Sequence, residues 1–228
     1  MRVKRTVPLI IFVLLTTCTL VKGQTSHAPR SQPFPHFTQK EGQLDAEGFP
    51  TSGATLCVLA KPDTCFVMPS KQEDKDLTYE FGLEPHSERL PLADGGSWVF
   101  FTAMFSGGGS GTLTRFAVLR YTSEGKIVNL LPWVGVTNVS QYAMWNLPQS
   151  STYPVLVLAD FVWGKGETHF DSHFYTVEIW IYDSNTDKYV KAFEYKTSKK
   201  YGGGDSSPIR VLAPERDEIL RRLKSMKK

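Results

Sequence analysis

Between Pro154 and Trp163 the chain holds Val155-Leu156-Val157-Leu158-Ala159, an unbroken apolar run that constrains the fold more than any other segment. A strand covered on both faces accounts for it, which predicts the centre of a sheet here. Around it lie short stretches rich in Phe, Val, Ile and Tyr, separated by Gly, Asp and Pro turns. Their pattern predicts strands over 55–60, 64–68, 77–81, 97–105, 113–122, 126–131, 154–163, 174–182 and 188–197. In the last two, Tyr175, Val177, Ile179 and Ile181 share one face, and so do Tyr189, Lys191, Phe193 and Tyr195. With Asp183-Ser184-Asn185-Thr186-Asp187 between them they read as a hairpin.

Only the C-terminus carries a helical period. Pro214 suits a first helical position, Glu215, Asp217 and Glu218 fill a first turn, and Ile219, Leu220, Leu223 and Met226 form an apolar stripe. The expected fold class is therefore all-β: an antiparallel sandwich or propeller-like sheet arrangement of roughly eight to ten strands with one C-terminal helix.

The N-terminus reads as an address. Arg2, Lys4 and Arg5 precede the apolar run Pro8 to Leu20, and Val21-Lys22-Gly23 sets small residues around a cleavage site before Gln24. That run is shorter than the roughly 20 residues a bilayer requires. The expected organisation is a signal peptide over 1–23, a mobile leader over 24–53, and one β-rich domain with its helix over 54–228. Export to a secreted or periplasmic location follows. Leu15-Thr16-Thr17-Cys18 is reminiscent of a lipobox, so a surface-anchored lipoprotein tethered through Cys18 is the alternative.

Removing 1–23 changes the electrostatics. The whole chain carries a formal charge of +3, but four of its 26 basic residues lie in the signal, leaving 22 against 23 acidic ones. A general electrostatic case for nucleic acid or for an anionic membrane disappears with them, which leaves lipidation at Cys18 as the expected route to a membrane. Cysteine follows the same subtraction, leaving Cys57 and Cys65, which in an oxidising compartment pair most economically as a disulfide.

The leading candidate for chemistry is Gly166-Glu167-Thr168-His169-Phe170-Asp171-Ser172-His173. On an extended strand Glu167, His169, Asp171 and His173 would project from one face, a ligand set suited to zinc or another divalent transition metal. On a helix His169 and His173 would again share a face, but Phe170 stands where a metalloprotease motif needs Glu. Alternating polar residues also describe a solvent-facing strand, and Gly164 with Gly166 suggests a turn that would make the segment a hairpin rim. Asp183, Asn185, Asp187 and Glu194 fit part of a calcium-loop spacing, but Lys188 replaces the required Gly and the surroundings are strand-like, so a polar hairpin turn is expected. The glycine-rich Ser106 to Gly111 lacks the residues of a phosphate loop or nucleophile elbow and reads as a connection. Asn138-Val139-Ser140 is a glycosylation sequon. Trp133, Trp145 and Trp163, with Tyr142 and Tyr153, offer either core packing or a platform for a glycan or peptide.

No complete catalytic constellation emerges. The sequence therefore points to an exported non-enzymatic binding or structural protein whose partner is a protein, glycan or small ligand. A metal-binding protein or metal-dependent hydrolase centred on His169 and His173 is the alternative.

Overall fold

A computed structural model of the chain describes residues 34–106, 112–132, 135–137, 141–147, 151–202 and 210–226. The first sheet joins β1 (Phe37–Lys40), β2 (Thr55–Val58) and β3 (Lys61–Val67) in sequence order. A short ribbon, β4 (Lys71–Gln72) with β5 (Thr78–Tyr79), follows. The second sheet contains β6 (Leu83–Pro91), β7 (Ser97–Ser106), β8 (Thr112–Tyr121), β9 (Ile127–Asn129) and β10 (Gly135–Thr137). Its order is β10-β8-β7-β6, and β9 also pairs with β8. The third runs β11 (Tyr142–Trp145), β12 (Val155–Val162), β13 (Phe174–Asp183) and β14 (Lys188–Lys196), and α1 (Arg216–Ser225) ends the chain. Every strand pairing is antiparallel.

Side-chain alternation explains how these sheets stack. On β7, Val99, Phe101 and Ala103 join Leu56 of the first sheet in one core cluster. The intervening Trp98 and Phe100 join Leu156, Leu158 and Trp180 of the third sheet in another. β12 repeats the device. Its Val155, Val157, Ala159 and Phe161 pack with Ile219 and Leu223 of α1, on the face opposite Leu156 and Leu158. The apolar run of β12 is thus buried on both sides, as its sequence required, and the packing is sandwich-like. Each fully buried side chain of this kind contributes roughly 1.5–3 kcal/mol.

Several boundaries differ from expectation. The leader expected over 24–53 does not extend that far, because Phe37–Lys40 pairs with β2. Aliphatic residues are scarce there, but Phe34 and Phe37 lie 5.6 Å apart and pack on the cluster around Phe101. Aromatic anchors do the work of the absent aliphatics. β6 was not expected at all. Its Glu84, Pro85, His86, Ser87 and Glu88 are poor strand formers, tolerated because β6 is an edge and Pro85 sits where the pairing register shifts. The strand expected over 77–81 shrinks to Thr78–Tyr79. The signal peptide, Cys18, Asn138, Trp133 and Gly107 to Gly111 lie outside the described residues.

Two elements are cross-tied. Cys57 and Cys65 are direct register partners on β2 and β3, and their sulfurs form the expected disulfide. At α1 the helical residues begin after Glu215, so Pro214 precedes the helix instead of opening it. The buried Glu215 carboxylate accepts hydrogen bonds from Tyr195 (2.9 Å) and Tyr201, anchoring the helix start to the third sheet. Burial first, then that carboxylate, raise both phenol pKa values above their ordinary range. Ile219 and Leu223 are buried as the stripe predicts, whereas Met226 is exposed.

Candidate functional site: the β12–β13 loop

Residues 163–173 connect β12 to β13 and contain the acid and histidine cluster. The extended backbone expected here is absent. Gly166 adopts φ +77°, and backbone bonds from Glu167 N–H to Gly164 O and from Asp171 N–H to Thr168 O fold the segment into successive turns. Turn geometry abolishes the period of two, so the four side chains do not share a face.

Each side chain has its own use. His173 is fully buried, with Nε2 2.8 Å from the Thr168 carbonyl and Nδ1 2.9 Å from Glu167 Oε2. A carbonyl oxygen only accepts, so Nε2 carries a proton on that side, and both nitrogens are engaged. Glu167 also accepts the Gly164 N–H (2.7 Å) and pairs with Lys200 (2.6 Å). Lys200 most of all, then the Gly164 N–H and later His173, hold the Glu167 carboxyl at about 2. Asp171 accepts from the Thr168 N–H (2.6 Å) and hydroxyl (2.9 Å), and those bonds lower its pKa. The His169 ring sits 4.7 Å from Trp163 and 5.8 Å from Phe161, edge to face. Backbone bonds of 2.9 and 2.8 Å between His173 and Tyr201 fasten the loop base to the segment after β14.

This network corrects the expected metal set of Glu167, His169, Asp171 and His173. Glu167, Asp171 and His173 are bonded to one another, to Lys200 and to neighbouring residues of the loop, and the His169 ring packs on Trp163 and Phe161. No group of three or more His, Cys, Asp or Glu among the described residues is arranged to hold a metal ion.

What the loop presents outward is aromatic. Phe170 is 77% exposed and Trp163 is 46% exposed, although Trp163 also leans on Phe161 and on the buried His173 ring. Three lysines lie at the end of β14 and just beyond it. The Lys196 ammonium stands 4.5 Å from the centre of the Phe174 ring, and that of Lys199 is 5.1 Å from Tyr201. Lys200 is 5.6 Å from Phe174 while it pairs with Glu167. No motif in the sequence singles out these lysines, and Phe170 stands out there only as the residue that breaks a metalloprotease motif. A lone Phe in a Gly- and acid-rich stretch, and the Lys199-Lys200 doublet, were the available signals.

The other aromatic residues of the expected platform are scattered. Tyr142 packs between Phe100 and Phe116, Tyr153 stacks on Trp98 at 5.1 Å, and Trp145 lies under the Arg216 guanidinium at 4.6 Å. A cleft of about 190 Å³ beside Tyr153 is lined by Pro91, Ala93 and Leu147 among others, and none of its described lining residues is charged. The partial calcium spacing is a hairpin turn: Asp183 bonds the Asn185 N–H (3.0 Å), and Asp187 is engaged by Arg120. Glu194 pairs with Lys191 at 2.6 Å.

Compared with known proteins, the chain matches no family model, no curated protein and no solved structure.

Proposed function

We propose that the chain is an exported, non-enzymatic binding domain whose contact surface is the β12–β13 loop. One observation carries this reading: Phe170 and Trp163 stand in solvent on a loop whose base is fixed by the Glu167, His173 and Lys200 network. Exposed aromatic rings on a rigid support offer large contact area with little ordering cost on binding. Export is supported by the signal-like Met1 to Gly23 and by the Cys57–Cys65 disulfide, a bond favoured in oxidising compartments. No helix among the described residues is long and apolar enough to cross a membrane.

The test is retention of soluble ligands by the immobilised full chain, using neutral polysaccharides, acidic polysaccharides and short peptides. One class is expected to bind saturably, and Trp163→Ala/Phe170→Ala is expected to abolish binding while the chain stays folded, with only a small fall in melting temperature from the lost Trp163 packing. Retention that ignores the double substitution, or no retention of any class, overturns the proposal. An intact mass beginning at Gln24 in exported material supports processing after Gly23, while a lipid on Cys18 contradicts it.

A further inference from the structure

We infer that the ligand of the β12–β13 loop is an acidic polysaccharide, held by aromatic contact at the loop and by the ammonium groups at the end of β14 and just beyond it. This inference rests on the proposed binding role of the loop. Its first support is topological. β12 ends at Val162, β13 starts at Phe174 and β14 ends at Lys196, so the loop and the lysine segment occupy the same end of the third sheet. The His173–Tyr201 backbone pair and the Lys200–Glu167 ion pair join them.

The second support is charge. Residues 163–174 and 196–201 together contain four lysines, Lys165, Lys196, Lys199 and Lys200, against two carboxylates, Glu167 and Asp171. The chain beyond residue 23 has slightly more acidic than basic residues, so this end is a local reversal of sign. Both carboxylates are also spoken for, Glu167 by Lys200 and His173 and Asp171 by Thr168. Lys196 and Lys199 differ from Lys200. Among the described residues no carboxylate pairs with either, and each ammonium is placed over an aromatic ring. A ring positions a cation without neutralising it, which leaves two oriented positive charges for an incoming anion.

The third support is the combination. Sugar rings present apolar C–H faces to aromatic side chains, and sulfate or carboxylate groups on the same polymer meet lysines. A neutral glycan leaves the lysines unused. An anionic lipid surface is the competing chemistry, because exposed Trp and Phe beside lysines also suit a membrane interface.

The probe is a sulfated oligosaccharide of the heparin type, titrated into the full chain at several salt concentrations. Saturable binding is expected, weakening with salt, and Lys196→Gln/Lys199→Gln is expected to weaken it at least tenfold at low salt. That variant is also expected to lose about one unit of salt slope per lysine removed. Lys71→Gln/Lys126→Gln removes the same charge from the β4–β5 ribbon and from the turn between β8 and β9, and is expected to leave binding unchanged. Equal loss in both pairs overturns the inference, because net charge alone then accounts for binding. Salt-independent binding of neutral dextran, abolished by Trp163→Ala/Phe170→Ala, overturns the acidic ligand but leaves the binding role standing. Capture by phosphatidylglycerol vesicles without capture of the soluble oligosaccharide also overturns it, in favour of a membrane surface. No binding to any probe overturns both readings.

Discussion

β13 has a carboxylate-rich connection at each end, and the two connections are built for different purposes. At its far end the turn after Asp183 places Asp187 at φ +55°, a left-handed conformation uncommon for a residue with a side chain. The Arg120 guanidinium of the second sheet grips this carboxylate at 2.6 and 2.5 Å, and the Tyr182 hydroxyl donates to it at 2.5 Å. Lys188 reaches the Asn129 carbonyl at 2.7 Å, and the Tyr189 N–H bonds Leu130 O at 2.8 Å. The turn is a staple between two sheets. Arg120 lowers the Asp187 pKa, while burial and then Asp187 push the Tyr182 phenol up to about 12. At the near end, Glu167, Asp171 and His173 find their partners within the loop or on the adjoining segment after β14. A carboxylate bonded across layers holds the layers together, whereas one bonded within its own loop fixes the shape of that loop. The second kind leaves neighbouring side chains free to face outward.

The largest expected effect tests the near end. His173→Ala removes a buried ring packed on Phe161 and Trp163 and strands the Thr168 carbonyl and Glu167. Chemical denaturation is expected to show a loss of about 2–4 kcal/mol, with ligand binding lost as well. Asp187→Ala should cost about 1–2 kcal/mol and leave binding intact. Asp187→Gly should cost less than the Ala variant, because Gly adopts φ +55° without strain. If Asp187→Ala abolishes binding, the division of labour between the two ends is wrong.

Acid provides the next test. Folding holds Glu167 at about 2, below its ordinary 4.5, so the ionised carboxylate is favoured in the native state. Its contribution is complete above pH 4.5 and fades as the pH falls toward 2. Melting curves of the parent and Glu167→Gln should therefore differ near neutrality and converge through that window. A constant gap contradicts the role given to the carboxylate. The smallest stability effect belongs to Phe170→Ala, whose ring is 77% exposed: about 0.5 kcal/mol or less in denaturant titrations, with binding weakened.

Strands with dense β-formers and clear alternation were legible in the sequence to within a residue or two. β7, β8, β13 and β14 are of this kind, and β12 declared burial on both faces through its apolar run. β6 was not legible because edge pairing, not composition, makes it a strand. At the loop Gly164 and Gly166 do signal the turn, and only the shared face of the metal set fails. Alternation in 167–173 implies a shared face only if the backbone is extended, and the turns at Gly166 and Thr168 break that premise. Glu215 was read as a first-turn charge, yet its partners Tyr195 and Tyr201 come from elsewhere in the chain. Such long-range pairings leave no local signature.

The contrast between the two ends of β13 is tested most directly by chemical-shift mapping of the isotopically labelled full chain as the heparin-type oligosaccharide is added. Amide shifts concentrated in 163–173 and 196–201, with 183–188 unmoved, are the predicted result. Shifts centred on the Asp187 turn, or spread over the sheets without a focus at the loop, would contradict it.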